Sequence, residues 1–224
     1  MSAVPVETVV LLPGTASDAV FVRSVFADPL SQVGAVIHTP HVRTLSERLT
    51  ALENAAGEHP IVVGGVSLGA HVAASWAVRN PDRCAGLVLA LPAWNGTPDG
   101  APAALAARAS AGIVAAHGVD AALAGTSGWL RHELHRAWHG YGDQLVPHLT
   151  EAAGSAAPTL EELRSLDVPT GIVGCVDDPV HPVGVARAWA EALPRAVLVE
   201  TTLDAYPHAL GRAVQAWQEA KKEA

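Results

Sequence analysis

Ile61-Val62-Val63-Gly64-Gly65-Val66-Ser67-Leu68-Gly69-Ala70 reads as an apolar strand, then Gly-x-Ser-x-Gly, then the start of a helix of small residues. The order matters chemically. A serine at the apex of a sharp strand-to-helix turn presents its hydroxyl above the sheet, and glycines two residues to either side keep the neighbouring backbone free of clashes. The backbone N–H of Leu68, at the helix start, points where an oxyanion would form, with the helix dipole assisting. Five residues of this pattern recur by chance; bracketed by a buried strand and a helix they are specific.

Outward from this turn, short apolar runs bounded by Pro or Gly recur at Thr8–Leu12, Gly34–His38 and Gly86–Leu91. Such runs suit strands of a parallel sheet covered on both faces. Between the second run and Ile61 lies a helix over Thr44–Ala56, with Leu45, Leu49 and Leu52 on one face, a Thr44/Glu47 capping box and Gly57 as its stop. A second helix follows Ser67 and ends near Arg79, before Asn80-Pro81. The alternation breaks from Asn95 to Leu166, where helical patches such as Leu130, Leu134 and Trp138 occur without a convincing strand. This stretch reads as a helical insertion, a cap or lid, within one domain spanning residues 1–224. The βα pattern resumes with strands at Thr170–Val176 and Ala196–Thr201, a helix near Val183–Leu193 between them, and a closing helix carrying Leu210, Val214 and Trp217.

Composition narrows the class. Of 224 residues 50% are hydrophobic and 16% charged, so a filled core is expected and disorder is not. A net charge of -8, with no basic cluster ahead of Lys221-Lys222, argues against nucleic acid and anionic membrane as partners. No apolar run reaches the ~20 residues of a membrane span, and Met1–Pro13 lacks the basic start of a signal peptide. Two cysteines, Cys84 and Cys175, exclude a disulfide framework or cysteine zinc site, and a cytoplasmic location is the expectation.

The elbow and its setting resemble the α/β-hydrolase superfamily over nearly the whole chain. The resemblance implies about six mainly parallel strands flanked by helices, because the stretch ahead of Thr8 is too short for two more. It also implies a chain order of nucleophile, acid, histidine. Ser67 is then the nucleophile. The acid falls in Asp177-Asp178-Pro179-Val180-His181-Pro182 after the fifth strand: counting from the prolines selects Asp178, counting from Gly174 selects Asp177, and the prolines fix the turn. The histidine is His208, at the start of the closing helix and 30 residues beyond Asp178, with Pro207 where the family more often has Gly. The Leu12-Pro13-Gly14-Thr15 turn is similar to the family's His-Gly turn, with Pro13 in place of His, making the Thr15 amide the second oxyanion donor beside Leu68. The implied chemistry is acyl transfer to water from a small, largely apolar acyl substrate, needing no metal and no organic cofactor.

Other residues carry weaker signals. Trp94, Trp129 and Trp138 either line a substrate pocket or glue the helical insertion to the sheet. His38 and His41 follow a strand end, on the rim where open α/β sheets bind ligands. His71 lies one turn after Ser67, and His181 reads as a brace for the acid loop. His132, His135 and His139 fall one position short of the zinc-protease spacing and read as a polar helix face. A catalytically idle scaffold of the same fold, or a lyase or C–C hydrolase, remains open, as does a homodimer.

Overall fold

The computed structural model describes residues 7–57 and 59–222; the start of the Met1–Pro13 stretch lies outside them. Six strands form one sheet in the order β2-β1-β3-β4-β5-β6. They are β1 (Thr8–Leu12), β2 (Val36–His38), β3 (Ile61–Val66), β4 (Cys84–Ala90), β5 (Thr170–Cys175) and β6 (Ala196–Thr201). Every neighbouring pair is parallel. Successive side chains of the inner strands go to opposite faces, as the pleat requires. Val10, Leu12, Val63, Leu87, Leu89 and Ile172 join one core layer, and Val9, Leu11, Val62, Val88 and Val173 the other.

Helices cover both faces. Helices α1 (Ala19–Gln32) and α10 (Arg212–Ala220) lie on the Val62 side, where Phe26, Leu30, Val214 and Trp217 are fully buried. Helices α2 (Leu45–Ala55), α3 (Leu68–Arg79) and α9 (Val183–Ala192) contribute Leu52, Trp76 and Trp189 to the Val63 side. Helix α2 carries the capping box read from sequence, with Thr44 Oγ1 accepting from the Glu47 amide and the Glu47 carboxylate accepting from the Thr44 amide. Helix α1 begins where Asp18 accepts from the amides of Val20 and Phe21. Cys84 and Cys175 are buried free thiols.

Between β4 and β5 the chain is helical: α4 (Pro102–His117), α5 (Val119–Ala122), α6 (Gly128–Tyr141), α7 (Leu145–Gly154) and α8 (Leu160–Arg164). Of the three apolar residues that mark the expected buried stripe of α6, Trp138 is buried and Leu134 packs on the core, but Leu130 is 39% exposed. The stripe fails at its first turn. Among the described residues no helix is long and apolar enough to cross a membrane.

Strand order reverses between β1 and β3: from β1 the chain steps outward to β2, then returns to β3 on the other side. Open α/β sheets bind ligands outside the carboxyl ends of the strands at such a point. Here that crevice is formed by the Pro13–Ala16 turn and by Ser67. The approach of β3 and α3 to β1 leaves no room for side chains. A Cβ on Gly65 would lie 2.3 Å from the Leu12 carbonyl oxygen, and one on Gly69 would lie 2.2 Å from it. Gly112, exposed in the middle of α4, has nothing near its would-be Cβ. Gly69→Ala is therefore expected to cost about 3 kcal/mol or more in denaturant unfolding. Gly112→Ala is expected to gain up to about 1 kcal/mol through helix propensity alone.

Candidate functional site

Ser67 occupies the N-cap of α3 with φ 52° and ψ −114°, a left-handed conformation costly for a side chain with a Cβ. Neighbouring backbone bonds hold it there: its amide donates to the Ala90 carbonyl at 2.8 Å and its carbonyl accepts from the His71 amide at 3.1 Å. Serine is a favoured N-cap because its hydroxyl accepts from the first helical amides, but this hydroxyl makes no cap bond. It lies instead 3.0 Å from His181 Nε2. His181 Nδ1 lies 2.9 Å from Asp178 Oδ2. With the Nδ1 proton donated to the carboxylate, Nε2 is the acceptor for the serine hydroxyl.

The acid and the histidine come from one turn. Asp178 Oδ1 accepts from the amides of Val180 at 2.7 Å and His181 at 3.0 Å, a side-chain-closed turn of the kind aspartate favours. Pro179 restricts the backbone inside it, and Pro182 stands at the N-cap of α9. The chain is folded back so that the imidazole three residues on meets the second carboxylate oxygen. Burial opposes ionisation of Asp178, but the hydrogen bond from His181, its charge and the two turn amides outweigh burial and hold the carboxyl below its ordinary range.

This geometry corrects the expected position of His208, which is not the histidine between Asp178 and Ser67. His208 is exposed at the first position of a 3-10 turn, His208–Gly211, and among the described residues it has no hydrogen bond to Asp178 or Ser67. His181, read from sequence as a loop brace, occupies the place between the acid and the serine. The expectation followed chain order; the turn closed by Asp178 delivers a nearer imidazole first. Asp177 bonds elsewhere, its Oδ1 accepting from the Leu203 amide at 2.8 Å and tying the β5 loop to the segment after β6.

The Pro13–Ala16 turn lies against the serine, a Cβ on Gly14 falling 3.5 Å from Ser67 Cβ. The Ala16 amide donates to His148 Nε2 at 3.0 Å. Leu68 begins α3, where an amide has no intrahelical acceptor. Three groups distant in sequence hold this turn. His148 of α7 accepts from Ala16, Tyr141 of α6 donates its hydroxyl to the Ser17 carbonyl at 3.0 Å, and Arg48 of α2 reaches the Gly14 carbonyl at 3.4 Å. Arg48 is fully buried and also donates to the carbonyls of Arg43 and Thr44. None of these roles has a local sequence signal, since the partners lie 34 to 132 residues apart.

The remaining sequence candidates spread around this centre. His71 is buried, accepts from the Ala93 amide at 2.9 Å and meets Trp94 edge-on at 4.5 Å between centroids. Trp94 therefore stands next to the elbow helix. Trp138 is buried in the core, whereas Trp129 is 36% exposed and packs on Phe21 and Tyr206. His38 ends the outermost strand, two strands from Ser67, and His41 is exposed beyond it. A cavity of about 300 Å³ between α6 and the segment after β2 is lined by Asp18, His41, Arg43 and Tyr141 among others, but not by Ser67.

A parallel six-stranded sheet with a strained serine at the β3–α3 elbow defines an α/β hydrolase. The sequence model of the family described as serine aminopeptidase, S33, matches residues 39–210, and the chain belongs to that family. Solved structures share the fold at low identity. The enol-lactonase from Burkholderia xenovorans LB400 superposes with a TM-score of 0.72 at 15% identity, over 99% of this chain and 94% of that one. A thermophilic esterase from Thermogutta terrifontis gives 0.69 at 20%, over 97% and 90%. MGS-M2, an α/β-hydrolase enzyme from a Medee basin deep-sea metagenome library, gives 0.71 at 15%, over 98% and 91%. No curated protein matches the sequence.

The two buried histidines set an acid limit on stability. Burial lowers the pKa of His148 from 6.5 to about 3, with the nearby Arg48 charge adding to the effect. Burial does the same for His71, also to about 3, with His181 contributing. Above pH 6.5 both states of the chain hold these rings neutral and stability is full. As pH falls from 6.5 toward 3, the unfolded chain takes up protons that the folded one refuses, so stability declines by up to about 1.4 kcal/mol per pH unit per group. His148→Gln, whose amide oxygen can still accept from Ala16, is expected to flatten the fall in denaturant midpoint between pH 6 and 4 by about one proton's worth. An unchanged slope would mean that His148 already carries a proton in the folded protein.

Proposed function

We propose that this chain is a serine hydrolase that cleaves an ester-type bond, a carboxylic ester, thioester or lactone, of a small and largely apolar acyl substrate. The observation that carries the reading is the continuous line from Ser67 Oγ to His181 Nε2 at 3.0 Å and from His181 Nδ1 to Asp178 Oδ2 at 2.9 Å. Nucleophile, base and orienting acid are thereby within hydrogen-bond reach before substrate arrives.

In this mechanism Ser67 Oγ attacks the acyl carbon while His181 Nε2 takes its proton. Asp178 keeps the imidazole in the required tautomer and stabilises the imidazolium. The amides of Leu68 and Thr15 receive the oxyanion, each worth about 3 kcal/mol in comparable sites. His181 returns the proton to the leaving oxygen or sulfur, and a water activated by the same ring then releases the acid from Ser67. No step requires a metal or organic cofactor. The nearby cation, Arg48, directs both terminal NH2 groups at main-chain carbonyls, which supports an uncharged acyl group. The helices between β4 and β5 act as a cap that limits water at the serine, the role their bonds to the Pro13–Ala16 turn support.

The test uses three variants on p-nitrophenyl esters and a fluorophosphonate probe. Ser67→Ala is expected to abolish both turnover and labelling. His181→Ala is expected to lower kcat/KM by about 10²–10⁴-fold, and His208→Ala to leave it nearly unchanged. The reverse ranking of the two histidine variants would assign the base to His208 and would require the segment after β6 to move inward. Full activity in Ser67→Ala would remove the serine mechanism altogether.

A further inference from the structure

The outer surface of α6 carries two imidazoles that the proposed chemistry does not use. His135 and His139 are four residues apart, one turn along the helix, and their rings lie 4.3 Å apart between centroids. The sequence shows that pair but not its companion. Asp120, on α5, brings Oδ1 to 3.4 Å from His135 Nε2. One donor atom from each of the three residues falls within 4.8 Å of the other two.

We propose that Asp120, His135 and His139 form a surface site for a zinc-type divalent cation, with the fourth position left to water. Tetrahedral bonds of ~2.0–2.2 Å place donor atoms about 3.3–3.5 Å from one another. The Asp120–His135 pair already has that separation. The remaining gaps close by roughly an ångström, a movement within reach of side chains that stand in solvent, His135 at 50% and Asp120 at 72% exposure. Two imidazole nitrogens with a single carboxylate suit zinc and its late first-row neighbours. Magnesium and calcium prefer oxygen donors and a larger ligand set.

The site joins two helices that otherwise share few contacts. Arg131 of α6 also donates to the Leu123 carbonyl just after α5. Helix α6 is anchored to the β1–α1 connection through the ion pair of Arg136 with Asp18, and to the first turn of α1 through the stacking of Trp129 on Phe21. A bound cation therefore fixes α5 to the helix that rests beside the Pro13–Ala16 turn. Its role is a clip, not a catalytic centre, and it does not depend on the hydrolase reading.

The test titrates the chelator-treated full chain with ZnCl₂ by calorimetry and follows thermal unfolding in parallel, with MgCl₂ as the comparison. One equivalent of zinc is expected to bind and raise Tm, and magnesium to do neither. Asp120→Ala and His139→Ala, on different helices, are each expected to weaken zinc binding by at least about tenfold. His132→Ala, on the same helix outside the cluster, is expected to bind as the parent does. All of these side chains are exposed, so Tm without metal is expected to be unchanged and reports that each variant is folded. Absence of zinc uptake by the parent chain overturns the proposal. So does undiminished uptake in either cluster variant, which would place the zinc elsewhere among the 11 histidines.

Discussion

The carbonyl oxygen of Leu12 lies against two glycines, Gly65 and Gly69, at separations that exclude any side chain. That contact presses the β3–α3 elbow onto the end of β1, and much of the site follows from it. With β3 and α3 this close, the chain must turn at Ser67 in a left-handed conformation that keeps the hydroxyl above the sheet. The same approach brings Gly14, in the turn after β1, beside Ser67 at the end of β3, the two strands at the reversal of strand order. The backbone strain at Ser67 is borne by its neighbours: the bond to Ala90 on the adjacent strand and the first bond of α3 are both made through it.

The other half of the crevice depends on side chains from far along the chain. The Pro13–Ala16 turn has a positive φ at Ala16 as well, and the groups that bond it are an imidazole, a phenol and a guanidinium from α7, α6 and α2. Among the described residues no carboxylate is bonded to the buried Arg48, a costly position for a charge. Burial pushes its pKa below the ordinary guanidinium value, opposed by Tyr141 and more distant carboxylates, and three main-chain carbonyls take the place of an acidic partner. Helices inserted after β4 thus reach back to the first loop of the chain, so the geometry of the crevice is a property of the whole domain and not of the elbow alone.

These two halves differ in how far the sequence exposes them. The elbow was legible because its constraints are local: glycine at two fixed offsets, an apolar run before, small residues after. The six strands were legible for the same reason, as short apolar runs between Pro and Gly, and so was the capping box of α2. Helix α1 was not, since its single clear signal is Asp18 and a proline, Pro29, sits inside it. His148, Tyr141 and Arg48 were illegible as supports of the turn because nothing near them in sequence marks their partners. His181 is the instructive intermediate. Its proximity to Asp178 was visible, yet chain order directed attention to His208, and only the turn closed through Asp178 Oδ1 shows which imidazole reaches the serine.

Placing acid and imidazole on one four-residue turn changes what the sheet must hold fixed. When the two come from loops after different strands, their distance depends on the register of those strands and on both loops. Here it depends on Asp178 to His181 alone, and the turn as a unit must be placed over Ser67. That placement rests on β3, β4 and β5, whose residues are almost all buried. Strand β6, at one edge, is less buried than these three, and the segment after it is tied down by Asp177 and by the packing of Tyr206 on Phe21 and Trp129. The separation of Asp178 and His181 is therefore set without reference to that edge.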